Sequence, residues 1–158
     1  MVRSPAGGKL HRMPDRATPS LTLGPFAIDR AGTLQPRAPG LRPAMRFAWR
    51  GRRCEAALTP KEVHLAAFAA RIPSTAEAQA RRNSAFEAVA SLPGQLPASW
   101  KARLLPDHRL VVEAAAPLSE PPTATELIVA MVRFALDLDP YLDRLDSACG
   151  PPSGTANS

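Results

Sequence analysis

The sequence predicts an α+β domain, and three observations carry that reading. Segments with two-residue apolar alternation come in adjacent runs. Two segments carry helical spacing, each behind a capping-box signature. The two kinds follow one another in the order β-β-β-α-β-β-α. Strands joined by short turns pair antiparallel, and helices then cover one face of the sheet. The expectation is an antiparallel sheet of about five strands with two helices packed on it. The chain's 158 residues are one domain's length, and 45% hydrophobic residues supply one core. Aromatics are only 5%, so alanine, leucine and valine must fill most of that core.

Residues 1–22 carry Pro5, Gly7, Gly8, Pro14 and Pro19 with little periodicity and read as a disordered basic arm. The ordered domain is expected over 23–146, and 147–158 reads as a disordered tail. At its start, Phe26 and Ile28 alternate with Ala27 and Asp29, Arg30-Ala31-Gly32 reads as a turn, and Thr33-Leu34-Gln35 reads as a returning strand. This predicts a small extra N-terminal β-hairpin. Pro36, Pro39, Gly40 and Pro43 make a stiff connector.

Met45, Phe47 and Trp49 then alternate with Arg46, Ala48 and Arg50. After the turn Arg50-Gly51-Arg52, Cys54, Ala56 and Leu58 alternate with Arg53, Glu55 and Ala57, which predicts a hairpin over 44–58. Val63, Leu65, Ala67 and Ala69 share one face of a third strand that ends at Ile72-Pro73, although its alanines also permit a helix. Ser74-Thr75-Ala76-Glu77 has capping-box form, and a helix is expected from 75 to 92. Its apolar stripe is Ala78, Ala85, Phe86, Val89 and Leu92, and Pro93-Gly94 ends it.

A second hairpin pairs the Trp100–Leu104 region with the Leu110–Ala114 region around Pro106-Asp107-His108, with Lys101 or Arg103 set against Glu113. Thr123-Ala124-Thr125-Glu126 caps a final helix whose apolar positions are Leu127, Ile128, Met131, Ala135, Leu138, Leu142 and Leu145. Pro140 is expected to end or kink that helix near Asp139.

Charge is unevenly placed. Residues 1–53 hold eleven basic and two acidic side chains, and residues 54–158 hold nine basic and twelve acidic. The overall net of +6 therefore belongs to the first third. A basic arm on a mildly acidic body fits a solvated arm, or an anionic partner such as nucleic acid. Seventeen arginines against three lysines point to a GC-rich bacterial origin. Cys54 and Cys149 are far apart and share no motif, which fits a reducing compartment. Met1 to Ser20 lacks an apolar run of secretory-signal length, and no stretch reaches the ~18 apolar residues of a bilayer span. The expected location is the cytoplasm.

No motif for catalysis stands out. His11, His64 and His108 lack Cys, His or carboxylate partners at ligand spacing, so no metal is expected. Asp107-His108 in a proline-led turn reads as turn chemistry. Glycine-rich phosphate loops and a nucleophile elbow are missing, so neither enzyme activity nor a cofactor is expected. Asp137, Asp139, Asp143 and Asp146 read as a solvated helix face, or as a contact surface for a basic partner such as the chain's own arm.

Two binding readings remain. In the first, the partner is another polypeptide, the chain works as a chaperone- or adaptor-like module and a homodimer is expected. The apolar anchors would be Phe47, Trp49 and Trp100, unless these are simply core. In the second, the partner is nucleic acid, contacted by the arm together with Arg46, Arg50, Arg52 and Arg53. Arg46 and Arg50 would share one face of the hairpin, with Phe47 and Trp49 on the other. That placement counts against the second reading, because no aromatic is left to stack beside the arginines.

The element order over about residues 44–146, with Phe134-Ala135-Leu136-Asp137 in the final helix, resembles the bacterial type III secretion-chaperone-like superfamily, including the YbjN-like proteins. The resemblance implies a twisted antiparallel sheet flanked by helices and a non-catalytic, often dimeric protein that binds an extended segment of a partner. Those chaperones open with a helix and are usually acidic, whereas this chain opens with an arm and hairpin and has a pI of about 10.3.

Overall fold

The structure is a computed structural model and describes residues 21–40, 42–76 and 79–152. It is an α+β fold in which strands β4 (Ala44–Trp49), β5 (Arg52–Leu58), β6 (Glu62–Arg71), β7 (Lys101–Leu104) and β8 (Arg109–Pro117) form one antiparallel sheet. The spatial order is β4-β5-β6-β8-β7, so β4 and β7 are its edges. Helix α1 (Gln79–Ser91) follows β6, and helix α2 (Ala124–Cys149) ends the described fold. Most of the arm, residues 1–20, lies outside the described residues. So do the tail from 153 and Glu77, on which the first capping box depends.

The predicted N-terminal hairpin gains a third strand. β1 (Leu21–Leu23), β2 (Phe26–Ile28) and β3 (Leu34–Pro36) form a separate antiparallel sheet. Leu21 and Thr22, expected in the arm, belong to strand β1. This small sheet is joined to the start of α2. The Leu34 amide donates to the Pro122 carbonyl at 2.8 Å, and the Ala124 amide donates to the Gly32 carbonyl at 2.8 Å. Phe26 and Leu34 are buried and belong to the common core.

Alternation along the strands sorts the main sheet into two faces. Cys54, Ala56, Leu58, Val63, Leu65, Ala67, Val112 and Ala114 are buried on the inner face with α2 residues Leu127, Phe134, Leu138, Leu142 and Leu145. α1 packs on α2 and contributes only Ala85 and Val89. Phe86, expected in the α1 stripe, is 38% exposed and lies under the Arg82 guanidinium. A short 3₁₀ turn at Leu92–Gly94 ends that segment.

The β6 ladder is interrupted between Phe68 and Ala70, which leaves Ala69 as an extra, fully buried residue. The β4–β5 turn has two residues, Arg50 at φ 49° and Gly51 at φ 74°, closed by the pair Trp49–Arg52. Two positive φ values in a two-residue hairpin define a type I′ turn, which matches the twist of the strands. In the β7–β8 turn His108 takes φ 63° and Asp107 accepts from the Arg109 amide, so this pair is turn chemistry, as expected.

Helix α2 does not stop at Pro140; it runs through to Cys149, three residues past the expected boundary. Pro140 and Leu136, the residue four before it, are both exposed, so the carbonyl that loses its amide partner is on the solvent side. Leu138, Leu142 and Leu145 stay buried across the proline. At the start of α2 the predicted capping box is present. The Glu126 amide donates to Thr123 Oγ1 at 3.2 Å, and the Thr123 amide donates to Glu126 Oε2 at 3.0 Å. The Ser119 hydroxyl, followed by the Thr123 amide and hydroxyl, holds the Glu126 carboxyl down to about 2.

Candidate functional site

The β4–β5 turn closes onto the last half of α2. Trp49 Nε1 donates to Asp139 Oδ1 at 2.7 Å. Arg50 donates to Asp143 at 2.8 Å, to Asp146 at 3.3 Å and to Asp139 at 3.4 Å. Arg52 is only 4% exposed. Its Nε donates to the Ala69 carbonyl at 2.8 Å, its Nη1 donates to the Arg50 carbonyl at 3.2 Å, and its Nη2 pairs with Asp146. The carbonyl that receives Nε belongs to the extra residue of the bulge. The hydrogen bond with Asp143, followed by that with Asp139, raises the Arg50 pKa above its ordinary value against the opposing effect of burial.

This arrangement reassigns several residues. Arg50 and Arg52 do not join Arg46 on the open face of the sheet, because the left-handed turn swings Arg50 toward the helix and Arg52 belongs to the inner face. The basic partner of Asp139, Asp143 and Asp146 is this hairpin. Of the four arginines considered for nucleic acid, Arg46 and Arg53 remain on the open face, and Arg46 lies 3.7 Å from Glu55. Phe47, Trp49 and Trp100 are half-buried against the core. The Trp100 ring lies 5.0 Å from that of Phe134 and 6.3 Å from that of Tyr141. Apolar surface available to a partner is found elsewhere.

Part of it is on the first half of α2. Ile128, Val129, Val132 and Leu136 are 45%, 44%, 50% and 54% exposed. Among the described residues these are the chief aliphatic exposures on α2, and they form one continuous stripe at helical spacing. Strand β4 is tied to α2 at its turn end and to the small sheet at its start. Met45, near the start of β4, lies against Gly24 of the small sheet that binds the start of α2. Trp49, at the other end, reaches Asp139. The six residues of β4 extend ~17 Å. The helix from Ile128 to Asp139 rises about as far, ~16 Å. The outer edge of β4 has no strand partner among the described residues.

The open face of the sheet is a lattice of both charges, with Arg46 beside Glu55 and Arg103 bonded to Glu113 at 2.8 Å, the second as expected. A shallow depression of about 350 Å³ lies between Glu55, His64, Lys101 and Glu113 over an alanine floor. A larger groove of about 660 Å³ opens at the end of the sheet, lined by Arg52, Arg53, Phe68, Arg71, His108 and Arg109 and bounded by the C-terminal end of α2. The Arg109 guanidinium sits 4.7 Å from the Phe68 ring centre. Phe68, Arg71 and Arg109 were not nominated from sequence. The signal was present, since Phe68 falls out of phase with Val63, Leu65 and Ala67 and so belongs to the charged face.

Both cysteines are free thiols, and burial pushes that of Cys54 up to about 11. Among the described residues no three His, Cys, Asp or Glu side chains converge as a metal site needs, and no helix is long and apolar enough to cross a membrane. No family model matches the chain, and neither curated proteins nor solved structures match it.

Proposed function

We propose that this chain is a non-enzymatic polypeptide-binding module, adaptor- or chaperone-like, that accepts an extended segment of a partner as a sixth strand on β4. The observation that carries this reading is that, among the described residues, the outer edge of β4 has no strand partner while α2 exposes an aliphatic stripe. A strand added there satisfies the backbone groups of the edge. Every second side chain of that strand then faces Ile128, Val132 and Leu136. The occupant favoured is a segment with aliphatic residues at alternate positions. The same stripe of α2 is already covered by the β4–β5 hairpin over its other half, so an added strand would continue an existing contact. Phe47 and Trp49 back the edge from the core side, while Trp100 lies with Phe134 and Tyr141 and takes no direct part.

The order of elements supports the same reading through the resemblance to the type III secretion-chaperone-like superfamily. A bacterial, cytoplasmic setting belongs to the proposal. The test places a photo-crosslinking amino acid at Val132 and, in a second variant, at Ala48 on β4. Both positions are expected to trap the same aliphatic stretch of one polypeptide, and a crosslinker at Glu87 on α1 is expected not to. Unrelated captures at the two positions, or none together with a monomer in sedimentation, overturn the proposal. Capture of a second copy of the chain replaces the partner segment with a homodimer.

A further inference from the structure

The groove at the end of the sheet has a composition that folding does not require. In the β6–β8 ladder Arg71 stands directly opposite Arg109. Like charges at opposed positions destabilise a sheet, and either residue could be exchanged without disturbing the core. Arg53 enters the same groove from β5. Among the described residues neither Arg53 nor Arg71 makes an ion pair, and Asp107 is the one carboxylate in contact, on Arg109. Among the described residues no carboxylate lines the groove itself. An aromatic ring lies among these guanidiniums, since Phe68 is 36% exposed with Arg109 against it. In the first hairpin the aromatics point away from Arg46 and Arg53, whereas Phe68 lies in the same groove as Arg53, Arg71 and Arg109.

We propose that this groove binds single-stranded nucleic acid, with Arg53, Arg71 and Arg109 on phosphates and Phe68 as an apolar platform for a base. Arginine forks match phosphate oxygens in pairs, and a base stacks on a ring or a guanidinium without regard to its identity. A groove of about 660 Å³ is within the size range of small-ligand sites and has room for a nucleotide. The site is independent of the β4 edge; Arg52 also lines the groove, but its guanidinium is taken up by Asp146 and the Ala69 carbonyl, which leaves Arg53, Arg71 and Arg109 for the ligand.

The experiment is fluorescence anisotropy of the full chain with a labelled oligodeoxythymidine of about twelve nucleotides, titrated with salt. Binding is expected at low salt and lost as salt rises. The Arg53→Ala/Arg71→Ala double variant is expected to bind at least about tenfold more weakly, with the slope of log K against log salt reduced by about 1.4, as for two lost phosphate contacts. Phe68→Leu is expected to weaken binding about tenfold and leave the slope unchanged. Arg46→Ala, exposed outside the groove, is expected to bind as the parent does. No binding at low salt overturns the proposal, and so does a double variant equal to the parent, which would assign binding to the basic N-terminal residues. Displacement of the oligonucleotide by polyglutamate at equal charge would make the ligand an acidic polypeptide and also overturn it.

Discussion

In its first half α2 turns Ile128 and Val132 outward, and in its second half it turns Asp139, Asp143 and Asp146 outward along the same stripe. The acidic half is covered by Trp49, Arg50 and Arg52. The aliphatic half, with Val129 and Leu136 beside it, has no cover among the described residues. One helix therefore shows two kinds of outer surface. Where the chain brings its own partner, the contact is ionic, geometrically specific and partly buried. Where it brings none, the surface is apolar and would accept any segment with the right alternation.

The sharpest way to break that comparison is to remove a charge from the covered half. Asp146→Asn leaves the buried Arg52 guanidinium without its carboxylate, and an uncompensated buried charge costs about 3 kcal/mol or more. Denaturant unfolding is expected to show that loss, and a double exchange of Arg52 and Asp146 for apolar residues is expected to recover part of it.

A middle-sized effect is expected at the N-terminus of α2. Thr123→Ala removes the cap and costs about 1 kcal/mol. The Glu126 side of the box adds a pH dependence. Its folded pKa, about 2, lies below the ordinary value of 4.5. Its contribution to stability is therefore complete above about 4.5 and lost as the pH falls toward 2. Acid unfolding of Glu126→Gln is expected to have a shallower slope in that window, and an unchanged slope would remove the box from the account. The smallest effect on stability belongs to the uncovered half. Val132→Asp is expected to shift unfolding by no more than about 0.5 kcal/mol while abolishing the proposed crosslink from Ala48. A large loss of stability there would mean that the stripe already serves the fold.

Much of this was legible in the sequence. Period-two alternation located β4, β5, β6, β7 and β8, and the inner face of β6 was read residue by residue. The third strand of the small sheet was missed, because Leu21-Thr22-Leu23 is too short to show a period. Pro140 does not end the helix, because the hydrogen bond it removes lies on the solvent side and the buried leucines continue past it. Alternation extended into the turn predicts the open face for Arg50, and the positive φ at Arg50 breaks that alternation. The aliphatic stripe was within reach. Leu127 to Val132 is six consecutive apolar residues, and an amphipathic helix cannot turn all six inward. Of the four exposed residues, the helical spacing includes only Ile128, on the apolar face, and the structure leaves it 45% exposed. The groove was the least visible site, since Arg53, Arg71 and Arg109 come from three strands and meet only through the sheet register.

The extra residue at Ala69 has a consequence for how the two layers are aligned. Its carbonyl, the Arg50 carbonyl and Asp146 converge on one guanidinium, so Arg52 indexes a strand, a turn and a helix at a single point. A helix advanced by one residue turns through 100° and carries Asp146 out of reach. A peptide spanning Ala124–Cys149, added in trans to a chain cut after Thr123, would then have a single rotational setting in which to dock.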